Sequence, residues 1–210
     1  MDIFSVEEAA FNANKGQIVA YPTETVYGLG TIIYEQDAIL RIKQIKGIRP
    51  DKPLSVLISN NNRAKMLDEL IDGFLPVAQR LAKFFWPGPM TLVHKCKSNL
   101  PDVITGGTGF VGIRCSPYPF INTFIDLVGH PIISTSANLT GKPPATNYSE
   151  IFSTFDGLID GVLICDDSIS IEHQAKPTNL PSTIVKVDHH NIEILREGAI
   201  KKEDILRKVL

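Results

Sequence analysis

Between Arg41 and Lys52 the chain places five cations, Arg41, Lys43, Lys46, Arg49 and Lys52, against one carboxylate, Asp51. Lys43, Lys46, Arg49 and Lys52 recur every third residue, so on a helix running into a turn several can point to one side. From charge alone the run reads first as a solvated helix end whose cations complement the helix dipole. Gly47 and Pro50 shift that reading, because they put Arg49 and Lys52 on a loop, where ligand contacts concentrate. Hydroxyls gather at three other turns: Pro22-Thr-Glu-Thr-Val-Tyr-Gly-Leu-Gly30, Ser134-Thr-Ser-Ala-Asn138 and Pro181-Ser-Thr183. Each is ordinary turn chemistry by itself. Together, hydroxyls and backbone amides at strand ends form donor-rich pockets suited to carboxylates and phosphates. With the cations added, the chemistry is that of an anionic ligand.

The elements that must position these groups follow from periodicity and punctuation. Ser5-Val-Glu-Glu8 is a capping box that opens a helix through Ala13, and Gly16 stops it. Strands are expected at Gln17–Tyr21, Thr31–Tyr34, Leu54–Ile58, Met90–Lys95, Phe110–Arg114, Pro131–Ser134, Gly161–Cys165, Thr183–Val187 and Glu193–Arg196. Helices are expected at Asp37–Ile45, Arg63–Leu70, Val77–Phe85, Phe120–Val128, Ser149–Phe155 and Lys202–Val209. Strands and helices alternate without segregating, which predicts an α/β or α+β fold: a mixed sheet with helices against it. No stretch has linker composition, so one domain over residues 1–210 is the expectation.

Composition narrows the classes. Apolar residues are 43% and charged residues 21%, the profile of a globule. The net charge of −2 argues against a nucleic-acid coat or a polybasic membrane binder. Cys96, Cys115 and Cys165 are odd in number and contain no C-x-x-C, so neither a disulfide framework nor a zinc ribbon is expected. Met1-Asp-Ile-Phe4 carries no export pattern and no long apolar run occurs, which predicts a cytoplasmic protein. Gly107-Thr-Gly109-Phe-Val-Gly112 matches a dinucleotide fingerprint, yet it runs into a strand instead of opening a helix, and reads as a glycine loop. His94, His130, His173, His189 and His190 are scattered, and no metal ligand set emerges. Glu150 to Glu172 is acidic, and Asp166-Asp167 could attract a cation. There is no P-loop and no nucleophile elbow.

Six ordered blocks carry a family signature: Tyr21-Pro-Thr-Glu-Thr-Val-Tyr-Gly-Leu-Gly30, Lys46…Lys52-Pro-Leu54, Trp86-Pro-Gly-Pro-Met-Thr-Leu92, Gly112-Ile-Arg114, Ser134-Thr-Ser-Ala-Asn-Leu-Thr-Gly141, and Pro181-Ser-Thr-Ile184…Leu195-Arg-Glu-Gly198. From about residue 15 to 198 the chain resembles the YrdC-like family, whose best-known members are threonylcarbamoyl-AMP synthases. The resemblance implies the short form and a twisted α/β domain with a central, positively lined cavity. There L-threonine, bicarbonate and ATP, with Mg²⁺ held mainly by its phosphates, would give threonylcarbamoyl-AMP and pyrophosphate. The product would feed threonylcarbamoyladenosine formation in tRNA through partner proteins, with weak RNA or tRNA binding allowed and no membrane.

Position by position, the resemblance assigns L-threonine to Thr25, Arg114, Ser134 and Ser182, with Arg114 making a forked bond to the carboxylate. It assigns ATP to Lys46, Arg49, Lys52, Ser136, Asn138 and Arg196, with Lys46 and Arg49 as the catalytic cations. The family usually reads Lys-x-Arg before the Pro-Leu strand. Here Gly47 and Ile48 separate Lys46 from Arg49, so strand register puts Ile48 at the arginine position. Either Arg49 compensates from the next position, which is the expectation taken here, or the site binds ATP differently. Lys52 stands where many members have Asn, and Leu57 where many have His. The competing readings are an RNA-binding or ribosome-associated module using the same cavity, and an offshoot that adenylates another carbamate.

Overall fold

The computed structural model describes residues 1–164, 180–189 and 191–209. Cys165, Asp166-Asp167, His173 and His190 lie outside the described residues. The described elements run β1 (Asp2–Phe4), α1 (Val6–Ala13), β2 (Val19–Tyr21), β3 (Gly28–Gly30), α2 (Gln36–Lys46), β4 (Ser55–Ile58), α3 (Arg63–Leu70), α4 (Pro76–Phe85) and β5 (Met90–Lys95). They continue with α5 (Asp102–Thr105), β6 (Phe110–Cys115), α6 (Pro119–Val128), β7 (Ile132–Ser136), α7 (Tyr148–Phe155), β8 (Gly161–Leu163), β9 (Thr183–Val187), β10 (Ile192–Arg196) and α8 (Lys202–Val209).

The described strands form one twisted sheet in the order β1-β8-β2-β3-β7-β4-β6-β5-β9-β10. Pairing is mixed: β8 with β1 and β2, β4 with β6, and β5 with β9 are parallel, while β3, β7 and β10 pair antiparallel to their neighbours. β7 is the hinge of the arrangement. Its Thr135 and Ser136 pair with β3 while its Ile132 to Ser134 pair with β4, so one strand joins the two halves. Helices cover the sheet, with α1 against α6 and α4 against α8. Strand cores such as Val19–Tyr21 and Val56–Ile58 are wholly buried, as expected of strands covered on both faces.

Local rules fix most boundaries. The Ser5 hydroxyl accepts from the Glu8 N–H at 3.2 Å and Glu8 Oε2 accepts from the Ser5 N–H at 2.8 Å, the expected capping box. Asn147, which opens a glycosylation-like triplet, instead caps α7 by accepting from the Glu150 N–H at 3.0 Å. The second strand lies three residues earlier than its β-branched residues suggest, at Gly28–Gly30 in place of Thr31–Tyr34. A Cβ on Gly28 would meet the Tyr21 ring at 2.7 Å, and one on Gly30 would meet the Ile133 carbonyl at 2.0 Å. Only glycine lets this strand approach its neighbours, which outweighs its poor strand propensity. The glycine loop keeps its expected form: Gly106, Gly107 and Gly109 have positive φ, and the chain then enters β6.

Candidate active site

Strand register assembles the site. Ser55 of β4 lies opposite Gly112 of β6 and Ser134 of β7, and Leu57 lies opposite Arg114. Arg114 in turn faces Thr91 of β5, and Thr91 faces Ile184 of β9. Side chains alternate between faces along a strand, so Ser55, Leu57, Thr91, Arg114, Ser134 and Ile184 project to one side and line a common cavity of about 520 Å³. A Cβ on Gly112 would come within 3.2 Å of both Ser55 Oγ and Thr91 Cγ2, so glycine keeps that floor clear.

Thr25, Lys46, Lys52, Arg114, Ser134, Ser136, Asn138, Ser182 and Arg196 all line this cavity. Arg49 does not. Its side chain is 83% exposed and pairs with Asp51 at 3.6 Å, while Ile48 faces the cavity in its stead. The reason is local: Gly47, at φ 65°, ends α2 in a left-handed cap, and the Ile48 N–H returns to the Lys43 carbonyl at 2.8 Å. That turn sends Ile48 inward and Arg49 out.

Nor do the four cations at three-residue spacing form one stripe. Lys43 is 1% exposed and donates to the Pro50 carbonyl at 2.5 Å, which pins the 47–52 loop. Burial lowers its ammonium pKa from the usual value. Lys46 is 4% exposed and donates to the Ser136 carbonyl, to the Asn138 carbonyl at 2.6 Å and to Asn138 Oδ1 at 3.2 Å. Burial, reinforced by the neighbouring charge of Lys52, pushes it down to about 8. An ammonium has three N–H donors, and Lys46 has a protein acceptor for each. The Ser136 hydroxyl donates to Asn138 Oδ1 at 2.5 Å, and the Asn138 amide donates to the Lys142 carbonyl at 2.8 Å. Lys46 thus ties α2 to the 136–142 loop, and the Thr140 N–H on the Lys46 carbonyl at 2.9 Å doubles the tie.

Across the cavity, Arg114 Nη2 donates to Glu24 Oε1 at 2.5 Å and to Thr25 Oγ1 at 3.0 Å. The second Glu24 oxygen accepts from the Ser116 hydroxyl at 2.6 Å. Glu24 was absent from the sequence-derived set. Its only signal was a carboxylate between two threonines, Thr23 and Thr25, with no cation nearby in the chain. Ser182 Oγ lies 2.9 Å from Thr91 Oγ1, and Arg196 brackets the Ser182 carbonyl through Nε at 3.2 Å and Nη2 at 2.8 Å. Burial, with Arg114 adding like charge, lowers the Arg196 pKa from its usual value. Cys115, next to Arg114, faces the core instead, and burial pushes its thiol up to about 12. No group of three or more His, Cys, Asp or Glu able to hold a metal lies among the described residues.

Sheet and cavity together define an α/β protein with an internal pocket of cations and hydroxyls. The Sua5/YciO/YrdC family model, described as telomere recombination, matches residues 12–198, and the chain belongs to that family. A threonylcarbamoyl-AMP synthase of Pyrococcus abyssi is 34% identical over 203 residues, covering 96% of this chain and 56% of the relative. This chain therefore spans little more than half the length of that relative. A threonylcarbamoyl-AMP synthase of Pseudomonas savastanoi is 37% identical over 158 residues, 75% of this chain and 83% of its own length. The crystal structure of P. abyssi Sua5 complexed with L-threonine has a TM-score of 0.88 at 31% identity, covering all of this chain and 61% of that one.

Proposed function

We propose that this chain forms L-threonylcarbamoyladenylate from L-threonine, bicarbonate and ATP with release of pyrophosphate, a nucleotidyltransferase activity. The observation that carries the reading is one cavity furnished in two ways. Arg114, Thr25, Ser134 and Ser182 suit a carboxylate and a hydroxyl, while Lys46, Lys52, Ser136, Asn138 and Arg196 suit a nucleotide. The relatives' shared activity and the L-threonine complex of the P. abyssi structure support it.

The chemistry asks for little beyond this. The threonine amine and bicarbonate give a carbamate with loss of water. A carbamate oxygen then attacks the α-phosphorus, and the bond to the bridging oxygen breaks as pyrophosphate leaves. Both partners are anions, so the protein's work is positioning and charge neutralisation, with no nucleophilic side chain required. Lys46 reaches a phosphate by exchanging one of its present acceptors, since all three of its donors are engaged. Arg49, outside the lining, has no part in this reading.

Among the described residues the lining offers hydroxyls and no carboxylate, which fits a magnesium ion that arrives with ATP and is held mainly by phosphate oxygens. Bound there, it would offset the triphosphate charge. The product would serve tRNA modification in the cytoplasm, with partner proteins making the transfer and at most weak RNA contact by this chain. No helix among the described residues is long and apolar enough to cross a membrane.

The test is pyrophosphate release from ATP and Mg²⁺ with bicarbonate, with and without L-threonine, and with serine and glycine beside it. Release that depends on threonine and bicarbonate is expected. ATP binding without threonine-dependent release overturns the reading in favour of another carbamate. Salt-sensitive RNA binding that persists with ATP and threonine present, without release, overturns it in favour of an RNA-binding module.

A further inference from the structure

Glu24 sits in the loop between β2 and β3 and is 3% exposed. Its oxygens have separate tasks: Oε1 takes Arg114 Nη2 at 2.5 Å and Oε2 takes the Ser116 hydroxyl at 2.6 Å. Ser116 is fully buried, and its oxygen also accepts the Tyr118 N–H at 3.2 Å, which anchors that side to the start of α6. Both bonds of Arg114 leave from Nη2, one to Glu24 and one to Thr25 Oγ1 at 3.0 Å. Arg114 Nε is buried and has no partner among the described residues.

A guanidinium offers two forks, Nε with Nη2 and Nη1 with Nη2. Any carboxylate that takes a fork must therefore share Nη2, whose two hydrogens are already committed. One of the present acceptors has to yield. The bond to Glu24 is the shorter, 2.5 Å against 3.0 Å, and the Glu24 side chain is held from its other end by Ser116, whereas Thr25 offers a single hydroxyl at the longer distance. We infer that Glu24 is a positioning residue: it holds Arg114 Nη2, and with it the plane of the guanidinium, while an amino acid's carboxylate enters the fork by displacing the Thr25 hydroxyl. Thr25 loses little in the exchange, because its oxygen keeps the Thr23 hydroxyl at 2.9 Å. The inference rests on the reading that this cavity takes an amino acid.

Two substitutions separate geometry from charge. Glu24→Gln keeps the side-chain length, an oxygen for Nη2 and an amide that can donate to Ser116. Glu24→Asp keeps the charge but withdraws it by one carbon–carbon bond, about 1.5 Å, so it cannot meet both anchors. L-threonine and ATP binding to the whole chain are measured by calorimetry for the wild type and both variants. The expected result is roughly tenfold or weaker threonine binding in Glu24→Asp, near-wild-type threonine binding in Glu24→Gln, and ATP binding unchanged in both. Equal threonine affinity in wild type and Glu24→Asp overturns the inference. So does loss in Glu24→Gln alone, which would make charge the operative property, or loss of ATP binding alongside threonine, which would make the role one of folding. A wild type that binds ATP but no L-threonine instead removes the amino-acid reading itself, and this inference with it.

Discussion

Replacing Arg114 with methionine removes the cation to which the proposed function assigns the amino acid's carboxylate. The Arg114 side chain is 11% exposed and that of Glu24 is 3% exposed, so this ion pair is largely shielded from water. Taking away one partner leaves a buried carboxylate whose remaining contact is the Ser116 hydroxyl. Breaking a buried pair in this way costs about 3–5 kcal/mol, a large share of the roughly 5–15 kcal/mol that holds a domain together. At roughly 2–4 °C per kcal/mol for a chain of this size, the melting midpoint falls by roughly 6–20 °C. The cost arises from an orphaned charge, so the double change Arg114→Met with Glu24→Gln recovers most of it. Threonine binding does not return with it, because the fork is gone. Thermal and denaturant unfolding of the three ligand-free proteins, with threonine calorimetry, reads all of this. A midpoint for Arg114→Met within about 2 °C of wild type, or no recovery in the double variant, refutes the buried-pair argument. Full threonine affinity in Arg114→Met refutes the binding assignment.

Lys46 gives a pH test. Its folded-state value, about 8, lies below that of an exposed lysine, so its buried charge burdens the fold fully below pH 8 and the burden lifts as pH rises toward 10. Wild type should gain on Lys46→Met by up to about 1.4 kcal/mol per pH unit in that window, and a flat difference in denaturant unfolding contradicts it. Gly198→Ala sets a Cβ 2.1 Å from the Pro181 carbonyl and 2.8 Å from that of Ser182. The expected result is a loss of about 1–3 kcal/mol together with weaker threonine binding, and unchanged binding would detach Ser182 from the site. Trp86→Phe deletes the buried indole bond to the Met90 carbonyl, 2.7 Å, and should cost about 1–3 kcal/mol while pyrophosphate release per folded molecule stays the same.

Much of the architecture was legible because its signals are local. The capping box at Ser5, the stop at Gly47 and the apolar spacing of α3, β5, β9 and α8 each rest on residues within a turn or two of one another. The misses share a different cause. β1 has three residues and α5 has four, too short for a period to show. β3 was displaced because its glycines are there for Tyr21 and the Ile133 carbonyl, which arrive from elsewhere in the chain.

The same division holds for the cavity. Residue type and spacing were enough to nominate the 41–52 cations and the hydroxyl-rich turns, since an anionic ligand needs those groups whatever the fold, and the family resemblance added Arg114 and Arg196. Which of them face the cavity depends on the tertiary structure. A left-handed cap at Gly47 turns Arg49 outward, and carbonyls about ninety residues away take up all three donors of Lys46. Glu24 gained its role only when β6 brought Arg114 alongside. A buried charge must be answered by whatever group lies nearest in space, and nearness in space between residues ninety apart is set by the pairing of strands.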